Sequence, residues 1–210
     1  MRLSIIIPFR RREEHLKIFL ESIHKKINCE FDVLVVEQNG DKPFNRGKLL
    51  NIGFDIKKKS SDYFCFHDVD MIPQNDVDYS YTKTATHLAS KVSQFNYKLP
   101  AFHYCGGVIL FNKEFFEKIN GFSNDYWGWG AEDTDLYCRI VKSKIEWDRR
   151  DCTFESLKHE RNVVKNEYNK NLEKLYSQYN FDLDGLSNLS YNISESYNIN
   201  NYCDLVKVDL

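Results

Sequence analysis

The sequence lacks a long apolar run, a leader-like beginning and an excess of either charge. No uninterrupted apolar run approaches the roughly 18 residues that a transmembrane helix needs. The apolar stretch in MRLSIIIPFRRREEH is about five residues long and meets charged residues at once, unlike a secretory signal peptide. Lys and Arg total 29 against 31 Asp and Glu, and this balance excludes a general nucleic-acid binder. We therefore expect no transmembrane segment, no nucleic-acid partner and a cytoplasmic location.

Paired cysteines and the common phosphate-binding motifs are also missing. The six cysteines are scattered with no CxxC pair, which argues against a zinc site. Without a leader sequence, we expect free and mostly buried thiols. Neither GxxxxGK nor GxGxxG occurs, so recognition of a phosphate group would rest on arginine and a metal ion.

Apolar runs and helical periodicity predict one α/β domain. At roughly 150 residues per domain, a chain of 210 residues is one domain. Five predicted elements alternate: a strand over residues 3–8, a helix over 11–26, a strand over 31–36, a helix over 45–58 and a strand over 63–67. This βαβαβ order is typical of a mostly parallel sheet flanked by helices, in which ligands bind beyond the carboxyl ends of the strands.

The rest of the chain is less regular. Between Pro73 and Pro100 no periodic pattern is evident. The later predictions are a strand over residues 106–111, helices over 112–119 and 132–141, a strand over 145–149, a helix over 162–179 and one or two edge strands after residue 183.

An aspartate pair directly follows the third predicted strand. Asp68 and Asp70 lie on the same side of an extended chain, with Val69 on the other. Two carboxylates this close repel each other unless a cation lies beside them, and oxygen ligands favour Mg²⁺ or Mn²⁺. The alternative is that the pair only caps the next turn.

The segment YWGWGAEDTD, residues 126–135, is the richest in candidate functional groups. Glycines on both sides of Trp129 let the backbone approach a ligand closely, and an indole face suits the apolar side of a sugar ring. Glu132 and Asp133 open the next helix, where acidic residues also complement the helix dipole. The dipole explains one or two of the acidic residues, but not two tryptophans framed by glycine, which are unfavourable in a loop unless they are packed.

Arginines follow the first strand and open the second helix, at Arg10, Arg12 and Arg46. Guanidinium groups at these ends of the elements would pair with phosphate oxygens. The alternative is that they are ordinary surface arginines.

Together, these motifs resemble the β-1,4-galactosyltransferase family, glycosyltransferase family 7. The matching segments, in the family's order, are IIIPFRRREEHL, FNRGKLLNIGF, FHDVDMIPQND, YCGGVILF and NGFSNDYWGWGAEDTDLYCRI. A weaker match follows in KHERN and LDGLSNLSYNI. The resemblance implies a GT-A fold, with a nucleotide-binding half over residues 1–75 and an acceptor and metal half over 100–195. It also implies inverting transfer of galactose from UDP-galactose with Mn²⁺, or with Mg²⁺, and with a β-1,4 linkage.

The same resemblance assigns roles to individual residues. The donor would be bound by Pro8, Phe9, Arg10, Arg12, Phe44, Arg46, Asp68, Val69, Tyr104 and Gly107. The metal would be bound by Asp70 and His159. Asp133 would be the catalytic base, with Glu132 and Trp129 beside it at the sugar sites. A bulky tyrosine at position 104 would favour galactose over N-acetylgalactosamine.

The sequence departs from the family's pattern in the third metal ligand and in the acceptor site. The family has Met or His shortly before His159, where this chain has Glu155 and Ser156 as candidates. Thr134 replaces an acidic residue that faces the acceptor, so the acceptor stays open among GlcNAc, glucose and xylose termini. The start at the first catalytic strand suits a microbial or viral member. Two alternatives remain open, a related transferase that uses UDP-N-acetylgalactosamine or UDP-glucose and a non-catalytic sugar-binding module.

Overall fold

The fold is built around one fully buried strand. The computed structural model describes residues 1–159, 164–177 and 180–210. All seven side chains of β1 (Leu3–Phe9) are buried, and β2 (Phe31–Gln38) and β3 (Tyr63–His67) pair with it in parallel on either side. The crossovers are α1 (Glu13–Ile23) and α2 (Arg46–Lys57). The predicted βαβαβ unit is therefore confirmed, with element ends that shift by up to three residues.

Alternate residues of β1 face two separate cores. Ile5 and Ile7 pack with Phe19 of α1 in one core, whereas Ile6 packs with Leu49 of α2 in the other. Because helices cover both faces of the sheet, successive residues of such a strand are all apolar.

The remaining strands extend this sheet and form a smaller one. They are β4 (Met71–Pro73), β5 (Ala85–His87), β6 (Lys91–Val92), β7 (Val108–Asn112), β8 (Trp147–Arg149), β9 (Thr153–Ser156), β10 (Asn192–Asn200) and β11 (Cys203–Asp209). The large sheet has the order β10-β11-β2-β1-β3-β7-β5-β8, and the small one β4-β9-β6. In the large sheet only β7 and β10 run against the other strands. The prediction of a mostly parallel sheet flanked by helices is confirmed for the described residues.

Three further helices complete the described elements: α3 (Lys113–Lys118), α4 (Glu132–Lys142) and α5 (Lys165–Tyr176). The predicted start of the last helix at residue 162 and its predicted end at residue 179 lie outside the described residues. In the part of the chain that the structure describes, no helix has the length and apolar character to cross a membrane.

Some strands of the second half differ from the prediction, and the strand predicted over residues 145–149 begins only at Trp147. Of the one or two edge strands predicted after residue 183, β10 is an edge strand, whereas β11 is not. β11 lies inside the sheet, parallel to β2, because its Val206 and Val208 are buried in the second core. The predicted strand over residues 106–111 begins two residues late, since Gly107 has a φ of +78°, which a strand does not adopt.

The cysteines are as expected. All six fall within the described residues and none forms a disulfide; Cys65, Cys105, Cys152 and Cys203 are buried.

Candidate active site

A cavity of about 600 Å³ opens where β1 and β3 end and α4 begins. Such a position, beyond the carboxyl ends of parallel strands, is where α/β sheets bind ligands. The structure places on its wall every predicted site residue except Phe9: Pro8, Arg10, Arg12, Phe44, Arg46, Asp68, Val69, Asp70, Tyr104, Gly107, Trp129, Glu132, Asp133 and His159. The Phe9 ring points away into the first core, because successive side chains of a strand face opposite sides.

One end of the cavity is strongly basic. Arg10, Arg11 and Arg12 line it together. Arg10 donates to the backbone oxygen of Lys42 at 2.6 Å, and its guanidinium lies 5.3 Å from the centre of the Phe44 ring. Burial and the neighbouring Arg11 charge lower the pKa of Arg10. Because three arginines line this end of the cavity, it suits a ligand with several negative charges.

Beside the arginines, Asp70 and His159 form an acid–imidazole pair. His159 Nδ1 lies 2.9 Å from Asp70 Oδ2, and Arg12 Nη1 lies 3.3 Å from the same oxygen. Among the described residues, His159 Nδ1 is a buried nitrogen without a hydrogen bond of regular geometry. Burial raises the pKa of Asp70, but His159 and Arg12 beside it outweigh burial and the net shift is downward.

This pair fits a divalent cation. His159 Nδ1 and Asp70 Oδ2 lie 2.9 Å apart, so a nitrogen and an oxygen donor are adjacent, and such donors suit Mn²⁺. Within the described ranges, no group of three His, Cys, Asp or Glu side chains converges on one point. The candidate third ligands do not line the cavity. Glu155 instead accepts a hydrogen bond from the Tyr97 hydroxyl, and the Ser156 amide donates to Ser93.

Arg46 connects the aspartate motif to the acidic start of α4. Its Nε lies 2.6 Å from Asp68 Oδ1, and its Nη1 lies 3.0 Å from Asp133 Oδ1. Burial lowers the pKa of Arg46, but the two carboxylates raise it by more. Burial raises the pKa of Asp68 to about 6 in spite of Arg46. This bridge leaves no local pattern in the sequence, because Arg46 and Asp133 are 87 residues apart.

Glu132 and Asp133 have different surroundings although they are neighbours. Burial, followed by the charge of Asp133, raises the pKa of Glu132 to about 8, so this carboxyl is mainly protonated at neutral pH. Asp133 is fixed by Arg46 on one oxygen, and its other oxygen lies over Gly106, where a β-carbon would come 2.8 Å from Asp133 Cγ. The Glu132 carboxyl can therefore donate a hydrogen bond, while Arg46 fixes the orientation of the Asp133 side chain.

The loop before α4 brings Trp129 to the cavity mouth. Trp129 is 47% exposed, and its ring lies 5.3 Å from the Tyr168 ring of α5. The amide of Gly128 donates to the Phe44 backbone oxygen at 2.9 Å. The loop is thus tied to the basic end of the cavity, while its indole stays partly open to solvent.

The aromatic side of the cavity holds Tyr104 beside Gly107. The Tyr104 hydroxyl lies 3.6 Å from where a β-carbon at Gly107 would be. Burial, with the charges of Asp133 and Asp68, raises the pKa of Tyr104, so the phenol stays neutral.

Several wall residues were not predicted from the sequence. Gln94 and Phe95 line the cavity from the segment without a periodic pattern, and Met71 and Asp41 line it too. Met71 was detectable, because it directly follows the aspartate motif. The other three carry no local signal.

Comparisons with known proteins give matches over most of the chain. Residues 1–83 match a family model described as the N-terminal region of glycosyl transferase group 7, and residues 86–163 match one described as the N-terminal domain of galactosyltransferase. Beta-1,4-galactosyltransferase 4 of Rattus norvegicus is 39% identical over 91% of this chain and 59% of the relative. Beta-1,4-galactosyltransferase 1 of Homo sapiens is 37% identical over 91% of this chain and 51% of the relative. The chain therefore spans little more than half the length of these relatives.

Solved structures of similar fold include two with bound ligands. The catalytic domain of Drosophila beta-1,4-galactosyltransferase 7 in complex with xylobiose superposes with a TM-score of 0.84 at 26% identity. A mutant of that enzyme in complex with manganese, UDP-Gal and xylobiose gives a TM-score of 0.83 at 26% identity. Both comparisons cover 100% of this chain and 94% of the solved chain.

Proposed function

The chain belongs to the galactosyltransferase family of glycosyl transferase group 7, with a GT-A fold, and from this membership we propose that it transfers galactose from UDP-galactose to a hydroxyl of a glycan acceptor, with inversion and with a metal ion. The observation that carries the proposal is a single cavity that holds an arginine cluster, the Asp70–His159 pair and the Arg46-bound Asp133.

The basic end of the cavity supports binding of the donor diphosphate. Arg10 and Arg12 present guanidinium groups that match phosphate oxygens in charge and geometry. The Phe44 ring, 5.3 Å from the Arg10 guanidinium, holds that side chain by a cation–π contact. The donor is thereby oriented with its sugar toward Tyr104 and Asp133.

Asp70 and His159 would hold the metal ion, and Mn²⁺ fits these donors best, with Mg²⁺ as the second choice. When bound, a divalent cation neutralises the negative charge that develops on the leaving diphosphate. Arg12, at 3.3 Å from Asp70, adds a fixed positive charge at the same place.

Asp133 would be the base of the transfer. As an acceptor hydroxyl attacks the anomeric carbon from the face opposite the diphosphate, the hydroxyl proton passes to the Asp133 carboxylate, and the bond to the diphosphate oxygen breaks. Arg46 fixes the orientation of Asp133 through Oδ1. Glu132, mainly protonated at neutral pH, would donate a hydrogen bond to a sugar oxygen. Trp129 would cover the sugars and exclude water.

Tyr104 supports galactose as the donor sugar. Its neutral phenol fills the space beside Gly107 in which a bulky N-acetyl group would have to fit. The acceptor is a glycan that ends in GlcNAc, glucose or xylose, and the new linkage is β-1,4.

A panel of UDP-sugars tests the proposal. UDP release is measured with Mn²⁺ and with a chelator, in the presence of GlcNAc, glucose or xylose. We expect release from UDP-galactose alone, dependent on metal and on acceptor. Release from UDP-N-acetylgalactosamine or UDP-glucose instead would refute the assignment of UDP-galactose as donor. Glycan binding without turnover of any donor would refute the proposal that the protein is an enzyme.

A further inference from the structure

The buried side-chain amide of Asn171, on α5, donates hydrogen bonds to several backbone carbonyls of the loop over residues 127–131. We call this loop the tryptophan loop. Asn171 Nδ2 lies 3.0 Å from the oxygen of Trp127, 3.0 Å from that of Gly130 and 3.5 Å from that of Trp129. The first two are ordinary hydrogen bonds and the third is a weak one. The side chain thus ties together the whole turn that carries the exposed indole.

Asn171 differs from the rest of its helix. It is 5% exposed, and it is the buried residue on α5. Tyr168, one turn earlier, packs against Gly130, where a β-carbon would come 2.9 Å from its ring. One face of α5 is therefore fitted to the tryptophan loop, and Asn171 supplies the polar contacts of that face.

The tryptophan loop needs such a partner because its backbone is unusual. Gly128, Gly130 and Ala131 have φ values of +75°, +101° and +76°, and a left-handed conformation is unfavourable for alanine. Several carbonyl oxygens then point to one place, where they repel one another unless a donor lies between them. An amide nitrogen with two hydrogens meets this need, whereas a carboxylate would add to the repulsion.

The conformation of this loop sets the position of the catalytic groups. Ala131, the last residue of the loop, directly precedes Glu132 and Asp133 at the start of α4. The orientation of these two carboxyls, and of the Trp129 indole, therefore follows from how the loop is held.

We propose that Asn171 is a positioning residue: its amide holds the tryptophan loop so that Trp129 covers the sugars and Asp133 faces the acceptor hydroxyl. The inference rests on the proposed transfer. Asn171 would then decide how much UDP-galactose is transferred to the acceptor and how much is hydrolysed by water. Without its hydrogen bonds, a loosened Trp129 admits water while the arginines still bind the diphosphate.

Variants of Asn171 test this, with a matched control on the same helix. Asn171→Ala removes the side-chain amide that donates these hydrogen bonds. Asn171→Asp replaces the amide with a carboxylate, and Asn171→Gln keeps an amide on a longer side chain. Asn169, on the same helix, is exposed, so Asn169→Asp adds the same charge to α5 away from the loop. Each variant is assayed for the kcat of transfer, for the donor and acceptor KM, and for UDP released per galactose transferred.

We expect Asn171→Ala and Asn171→Asp to lower the kcat of transfer by about 10²-fold, the usual effect of a misplacement of about 1 Å. The donor KM should change by less than about threefold, and UDP released per transfer should rise. Asn171→Gln should recover part of the loss, and Asn169→Asp should match the wild type. A kcat of Asn171→Ala within about threefold of wild type, with an unchanged ratio of hydrolysis to transfer, would overturn the inference.

A spectroscopic readout separates this inference from the proposed function. The chain has three tryptophans, and 5-fluorotryptophan labelling gives one ¹⁹F resonance for each. In the free protein, Asn171→Ala should shift the resonances of Trp127 and Trp129 but not that of Trp147. Unshifted loop resonances would overturn the role of Asn171 even if transfer is observed. Shifted resonances in a protein that transfers no sugar would uphold the loop contact and refute the transfer.

Discussion

Gly106 makes room for the carboxylate of Asp133, the proposed base, and filling that room should abolish the proposed transfer without unfolding the protein. Gly106 lies outside the left-handed region, so alanine brings no backbone strain. Its β-carbon, however, would lie 2.8 Å from Asp133 Cγ and 3.0 Å from the Tyr104 ring. Comfortable carbon contacts are about 3.5–4.0 Å, so the Asp133 carboxylate must move by about 1 Å.

The displacement acts on a group held from the other side. Arg46 fixes Asp133 Oδ1 at 3.0 Å and is itself tied to Asp68, so the carboxylate cannot shift without breaking this bridge. A displacement of about 1 Å typically lowers the rate by about 10²-fold. We therefore expect Gly106→Ala to lower the kcat of transfer by about two orders of magnitude. The donor KM should change by less than kcat, because the clash disturbs Tyr104 and Arg46 but leaves the arginine cluster in place.

The matched control is a steric clash of the same kind in the core. In Gly53→Ala the new β-carbon would collide with Ile6 and come 3.2 Å from Val36. This variant should lose thermal stability but keep its kcat. Steady-state kinetics at saturating UDP-galactose, together with thermal unfolding of both variants, compare the two. If Gly106→Ala is folded, binds donor normally and keeps kcat within about threefold, then Asp133 is not the base in the orientation described here.

Three other predictions follow from the same contacts. The pKa of Glu132 is raised from 4.5 to about 8, so the folded state binds more protons than the unfolded state between these pH values, and wild-type stability falls as pH rises through them. Measured by urea unfolding, the free energy of unfolding of Glu132→Gln should exceed that of the wild type by about 1–3 kcal/mol at pH 8 and should match it near pH 4.5. Arg139→Leu removes the cation 2.7 Å from the buried Asp135 and should lower the free energy of unfolding by about 3–5 kcal/mol in the same assay; a loss below about 1 kcal/mol would contradict this. Tyr104→Leu should raise transfer from UDP-N-acetylgalactosamine relative to UDP-galactose, and an unchanged donor ratio would remove Tyr104 from the specificity argument.

The first three strands could be predicted because both faces of their sheet are covered. Ile5, Ile6 and Ile7 all face a core, so the sequence shows an uninterrupted apolar run. β11 has charged residues within it, and its neighbour β10 is almost wholly exposed. The pattern of β11 is therefore that of an edge strand, and its place inside the sheet comes from a long-range pairing with β2.

The candidate site was predictable where chemistry is concentrated in short motifs. The aspartate pair and the acidic start of α4 are local patterns, and the structure brings them to one cavity. Contacts between distant segments were not predictable, as the Arg46–Asp133 bridge shows. Asn171 carries no local signal either, since the exposed Asn169 on the same helix looks the same in sequence.

The interior position of β11 has a consequence for how the chain reaches its native state. Cys203 pairs with Val33, so β2 gains its partner strand β11 only when the segment near residue 203 has been synthesised. Until then β2 presents a free edge of apolar residues, the kind of edge that recruits other chains. Non-local pairing of this sort slows folding. A nascent chain is thus exposed to aggregation from the synthesis of β2 until that of β11, and a chain cut before Cys203 keeps this edge of β2 unpaired.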